Sequence, residues 1–254
     1  MGGVASKDSL TSSSRAHFSL ADLFSPSTYK MSSSSVLQAL GKFLPVNYQK
    51  GVNSAVSGCP YHIGDFAQGG VIIWLTNDGM HGLVAAIEDA SPAGGSKWAK
   101  DIGGTYVETG ATYNDPLPYA TPVAPYGQYY SGYQNQKLIA NNYNLDNYPA
   151  FKDAAGYSIT VNGITYNDWF LPSSSELSLM YASRGVINQV SLANGGAAML
   201  NVEFNPNSSN FPASIYWSSR ENDTFSAWVL NFFNGDQDYF NLDNPCAVRC
   251  VRAF

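Results

Sequence analysis

Arg220, Asn222, Asp223, Thr224, Phe225, Asp236, Asp238, Tyr239, Phe240, Asn241, Asp243 and Asn244 all fall within residues 220–244 of the sequence. Nearly every side chain in this set carries a small hydrogen-bonding group or a flat ring, and Arg220 is the one base before Arg249. Amides and carboxylates adapt their hydrogen bonding to what faces them. Aromatic rings bring contact area with few torsions to immobilise, and such mixtures serve binding loops well. The chemistry these residues can do is recognition by stacking and hydrogen bonding on a partner surface.

Groupings that could do other chemistry are thinner. Asp236-Gln237-Asp238 and Asp243 offer oxygen donors, but the acidic spacing, glycine and distal glutamate of a calcium loop are missing. Glu221-Asn222-Asp223 is a faint echo of the sugar-binding calcium motifs of lectins. No metal and no cofactor is expected. There is no G-x-S-x-G elbow, no H-E-x-x-H and no phosphate-cradling loop. His17, His62 and His81 lie far from residues 220–244, and His81 has no second His or Cys at metal spacing. Cys246 and Cys250 lack a visible activating neighbour. Glu176 is explained by a helix cap, and Arg184 by a helix C-terminus ahead of Gly185. Arg249 and Arg252 read as frame residues in ion pairs or at the surface, with an anionic ligand as the second reading. The chain is expected not to be an enzyme.

Bulk properties narrow the partners. A chain of 254 residues with 44% hydrophobic residues can bury a substantial core, while only 13% are charged and the net charge is −6. Nucleic-acid binding and attachment to acidic membranes need clustered Lys and Arg, so both are disfavoured. No apolar run approaches the length of about eighteen residues that spans a bilayer. No secretory signal or anchor is visible in the sequence. Cys59, Cys246 and Cys250 allow at most one disulfide, and the pairing is open, with buried free thiols as the alternative.

The elements that must position residues 220–244 can be read in outline. Residues 1–58 form a Ser-rich segment. Within it, Val36, Leu37, Leu40, Phe43 and Leu44 follow a serine cap and precede Pro45, as in one short helix that docks or drives oligomer formation. Residues 59–254 are read as the main domain. Gly69 to Leu75 and His81 to Ala86 flank the turn Thr76-Asn77-Asp78-Gly79, a hairpin. Residues 89–135 read as long loops, and a helix is predicted around Gln136–Asn141. Asn162-Gly163 joins the short strands Tyr157–Val161 and Ile164–Tyr166. Ser173 and Glu176 make a capping box before Leu177, Met180 and Tyr181. The fold class is α+β. Near the end, Tyr216-Trp217-Ser218-Ser219, Ala227-Trp228, Asn234-Gly235 and Val248–Arg252 form a frame, with Trp217, Trp228 and Val248 predicted inward and the polar and aromatic set outward.

These motifs carry a family resemblance. Ile63–Gly70, His81–Ala86, Asp168–Ser173 with Glu176-Leu177, and the frame from Tyr216 to Arg252 resemble the bacterial surface-domain family typified by the C-terminal domain of the Legionella collagen-like adhesin. The likeness runs from about Tyr61 to Phe254. It implies a C-type-lectin-like fold with short antiparallel sheets, two helices and long loops. The frame also resembles the variable proteins of diversity-generating retroelements, in which template adenines are mutated on copying. That resemblance implies a variable region at about 214–254, with the twelve residues named first as the ligand-binding set. It further implies a non-enzymatic receptor or adhesin for a protein or glycan on another cell, placed at a bacterial cell surface, outside the cell or on a phage particle. The alternative is an adhesin of fixed specificity for glycans or glycosaminoglycans, which the acidic balance disfavours for polyanions.

Overall fold

A computed structural model of the chain describes residues 61–114, 131–199 and 214–254. All of them fall within one compact unit, Leu40–Phe254. The predicted helix at residues 36–44, the Ser-rich segment and Cys59 lie outside the described residues.

The expected hairpin opens the fold. Strand β1 (Phe66–Ala67) pairs with β2 (Gly70–Leu75), which pairs with β3 (Gly82–Ala85) across the Thr76–Gly79 turn. Gly79 sits at φ 68, where a side chain would be strained. The sheet is completed by β11 (Val251–Ala253), antiparallel to β3, so the order is β1-β2-β3-β11. Its strands are apolar on both faces because both are covered. Ile72 and Val84 join one buried cluster, whereas Val71, Ile73, Leu83, Ala85 and Val251 join another.

Helices supply the covering layers. Helix α1 (Ser131–Asn142) and α2 (Pro149–Gly156) contribute Ile139, Phe151 and Ala154 to the first cluster, where the Phe151 ring meets Trp98 edge-on at 5.0 Å. Helix α3 (Ser174–Ala182) and α4 (Arg184–Ala193) contribute Leu177, Met180 and Ile187 to the second. The capping box is present: Ser173 Oγ accepts from the Glu176 amide, and Glu176 accepts from the Ser173 amide at 2.8 Å. The buried Glu176 carboxylate also accepts from the Gly132 amide, so one side chain serves two helix starts. The described residues hold four α-helices, where two were expected. Arg184 opens α4 and is not followed by a helix end at Gly185. Its guanidinium still donates to the Tyr181 carbonyl at 3.0 Å, serving the last turn of the preceding helix.

Small sheets finish the domain. Strands β5 (Ile159–Val161) and β6 (Ile164–Tyr166) pair across Asn162-Gly163, both at positive φ, as that turn requires. Strand β4 (Ser96–Lys97) pairs with β10 (Pro245–Cys246). The last sheet is the meander β7 (Ile215–Asp223), β8 (Ser226–Asn231) and β9 (Gln237–Asn241), all antiparallel.

Candidate functional site

The meander is anchored at one end and bare at the other. Residues of β7 alternate between the two buried clusters: Ile215 and Trp217 enter the first, Tyr216 the second. Trp217 is fully buried, and its indole N–H donates to the Ser96 carbonyl at 2.7 Å. Ser218 and Ser219, next in line, are also fully buried. The Ser218 carbonyl accepts from the Trp98 indole at 2.9 Å, and Ser219 Oγ accepts from the Asn135 amide group of α1 at 2.9 Å. Buried polar groups need partners, and these serines have them. The frame is thereby fixed to both helical layers.

Beyond Ser219 the pairing of β7 with β8 becomes irregular, with register shifts around Glu221 and Asp223. The strands leave the helices here and their outer face emerges. Asn222, Asp223, Phe225, Tyr239 and Asn241 are exposed, while Arg220, Thr224, Asp243 and Asn244 are half-buried. Asp236 and Asp238 are exposed too, but they lie toward the anchored end, where Gln237 donates to Ser178 of α3. Most of the acidic and amide groups also shape turns. Asp223 accepts from the Phe225 amide at 2.8 Å, which holds its carboxyl below the usual range. Asn234 and Asp236 bond to each other around Gly235, whose φ is 87. Asn241 accepts from the Asp243 amide at 3.2 Å, and Asp238 from the amide of Tyr239 at 2.8 Å. Asp236 and Asp238 therefore act first as turn and edge acceptors. Among the described residues, no three His, Cys, Asp or Glu side chains gather as a metal site.

Two aromatic placements differ from the sequence expectation. Trp228 is half-buried, not core: it pairs with Tyr239 across β8 and β9, with the rings edge-on at 6.1 Å. The Arg220 guanidinium lies 5.0 Å over the Trp228 ring, so Arg220, Trp228 and Tyr239 form a row across all three strands. Alternation explains the reversal, since Ala227 and Val229 are buried and their neighbour must face the other way. Phe240 is displaced in the opposite sense. It follows Tyr239, points to the first core cluster and packs against it, so it is not an outward contact. Val248 is fully buried as expected, alongside Trp217.

Three further residues belong to the site although sequence reasoning did not place them there. Glu221 is buried within β7, and its carboxylate accepts from the Thr109 amide at 2.9 Å, the Gly110 amide at 2.9 Å and the Thr109 hydroxyl at 3.0 Å. Burial pushes its carboxyl above the usual value, against the pull of those donors. The loop so held carries Tyr106, whose ring meets Phe225 edge-on at 6.3 Å. The third is Trp228. Nothing in local sequence ties Glu221 to Thr109, which lies 112 positions away.

Other charged and reactive groups singled out by the sequence have partners within the fold or are buried. Arg249 is fully buried; its Nε donates to Asp89 at 2.6 Å, and its other nitrogens reach the Ala86 and Ala197 carbonyls. Arg252 pairs with Asp168 and lies 4.9 Å over the Tyr166 ring. Cys246 and Cys250 are buried free thiols whose pKa values burial drives up. The His62 amide donates to Asp65, and the His81 backbone closes the first hairpin onto Thr76. Residues 105–252, more than half of the chain, match the family described as the Lcl C-terminal domain. No curated protein matches the chain.

Proposed function

Because the chain belongs to the Lcl C-terminal domain family, that of the Legionella collagen-like protein, we propose that it is an adhesin-like surface protein that recognises its target without catalysis. The observation that carries this reading is the bare end of the β7–β8–β9 meander. There Phe225 and Tyr239 are 62% and 55% exposed beside the Arg220–Trp228 stack, on strands whose inner faces are locked into the core. Exposed aromatics on a rigid scaffold are costly to leave bare and suit a contact surface.

The proposal extends to a C-type-lectin-like fold and to diversification of this face by a retroelement. Supporting it, Asn222, Asp223, Phe225, Asp238, Tyr239 and Asn241 are exposed, so they can vary at little cost in stability. The encoding DNA tests this part. A near-identical repeat that differs at adenines, with a reverse transcriptase gene nearby, is the expected finding, and a locus without either removes diversification. Recognition itself is tested by binding of the intact chain to protein and glycan arrays. Signals lost in Tyr239→Ala and retained in an equally folded surface variant, Leu192→Ala, support it; no signal on either array opposes it. A fixed-specificity glycan receptor is the second reading, favoured by the half-buried Trp228 ring, and it is distinguished by binding confined to the glycan array.

A further inference from the structure

We propose that the recognition face has a second wall, the loop 101–108, and that Glu221 is the positioning residue that docks it. This inference rests on the recognition reading above. In β7, an outward carboxylate at position 221 would have joined the exposed set of Asn222 and Asp223. It turns inward instead and is 3% exposed. Its two oxygens take every donor the loop offers at that point: the Thr109 amide, the Thr109 hydroxyl and the Gly110 amide. The Glu221 amide in turn donates to the Ala111 carbonyl at 2.8 Å. Asn135 holds the far end of the same loop, through both the amide and the carbonyl of Tyr113.

These contacts fix residues 109–111 to the meander and Tyr113 to α1, and residues 101–108 beside them are exposed apart from the half-buried Tyr106. Ile102 and Val107 are 52% and 49% exposed, and Tyr106 leans its edge on Phe225 at the β7–β8 turn. Asp101 and Asp243 both lie near enough to Tyr106 to raise its pKa, behind burial. The loop therefore stands against the turn that carries the exposed Phe225, and its apolar side chains continue that surface. The loop is pinned at both ends, by the Lys100 amide on the Asn147 carbonyl and by Glu221 and Asn135 beyond it, yet Ile102 and Val107 stay about half exposed, so packing alone explains it poorly. It is well explained as contact area held in a fixed place, because pre-ordering a binding loop removes the entropy cost of ordering it on the partner.

Two measurements on the full chain test this. First, amide hydrogen exchange is followed in Glu221→Gln and Glu221→Asp. The expected result is exchange at least ~10-fold faster across residues 105–111 in Glu221→Gln, with β8 protection kept, because local opening need not follow global unfolding. Glu221→Asp is expected to restore part of the loop protection. Equal loss in the loop and β8 would make Glu221 a general stabiliser and overturn the proposal. Second, two display libraries are selected against hen egg lysozyme as the probe, one randomised at Ile102, Tyr106 and Val107, the other at Asn222, Phe225, Tyr239 and Asn241. Binders from both libraries, lost from the first when Glu221→Gln is added, are expected. Binders from the second library alone would remove the loop wall and leave the recognition reading standing. Binders from neither would remove both.

Discussion

Two tryptophans eleven positions apart, Trp217 and Trp228, should respond to the same substitution to very different extents. Trp217→Ala empties a fully buried site, and large-to-small changes of this kind cost about 3–5 kcal/mol. The Ser96 carbonyl, which accepts from the indole at 2.7 Å, is left unpaired in the core, adding about 1 kcal/mol. Trp228→Ala removes an edge contact with Tyr239 and the Arg220 stack. Those interactions are worth about 0.5–1.5 and 0.5–1 kcal/mol at partly exposed sites. For a domain of this size each kcal/mol shifts Tm by about 2–4 °C. Trp217→Ala should therefore lower Tm by ~8 °C or more and Trp228→Ala by only a few degrees, read by calorimetry or far-UV circular dichroism. Of the five tryptophans, only Trp74 and Trp228 are half-buried, so the fraction of fluorescence that acrylamide quenches should fall in Trp228→Phe and not in Trp217→Phe. Equal melting losses for the two alanine variants would refute the assignment of an inner and an outer face.

Removing the Arg249 side chain with Arg249→Met leaves Asp89 facing the buried site. It should cost about 3–5 kcal/mol in urea unfolding, partly recovered by adding Asp89→Asn; a neutral single variant contradicts the pair's structural role. Asp89, Asp153 and Glu221 all have pKa values raised chiefly by burial. Such a group holds its proton more tightly in the folded state, so its contribution is greatest at low pH and is lost as pH rises through the folded value. Stability of Glu221→Gln relative to wild type should thus improve as pH rises from about 4.5, and a pH-independent difference contradicts this. Cys246 and Cys250, buried with raised pKa values, should resist iodoacetamide at about pH 8 and react only in guanidinium, as peptide mass mapping can show. Labelling of either in the native protein would mean that the core opens there.

Where sequence and structure agree, the signal was local. The Thr76–Gly79 and Asn162-Gly163 turns follow from residues that tolerate positive φ, and the Ser173–Glu176 box follows from side chains three positions apart. Helix α1 was seen only in part because its buried stripe is polar: Gly132, Asn135 and Gln136 precede Ile139. Asn135 and Gln136 are buried to bond Tyr113, Ser219, Phe151 and Leu171, partners 15 to 84 positions distant. Helix α2 had a signal, Pro149 at its first position, but only eight residues to show a period. The outer face was legible as composition and illegible in phase. Alternation counted from the frame residues predicts Trp228 inward, but the phase on β8 is set by the small Ala227 beside it, which takes the inward place. Phe240 was grouped with Tyr239 by type, while strand alternation sends the two rings to opposite sides. Glu221 shows the limit most clearly, because its role depends on a loop that only the tertiary fold brings near.

The division between a fixed frame and an interchangeable face is tested most directly by a saturation substitution scan of residues 214–254 in the full chain, with folding read by protease resistance of the displayed protein. Asn222, Asp223, Phe225, Asp238, Tyr239 and Asn241 should accept most amino acids. Trp217, Ser218, Ser219, Glu221, Val229, Val248 and Arg249 should accept few. Equal tolerance in the two groups, or intolerance at Phe225 and Tyr239, would contradict the division.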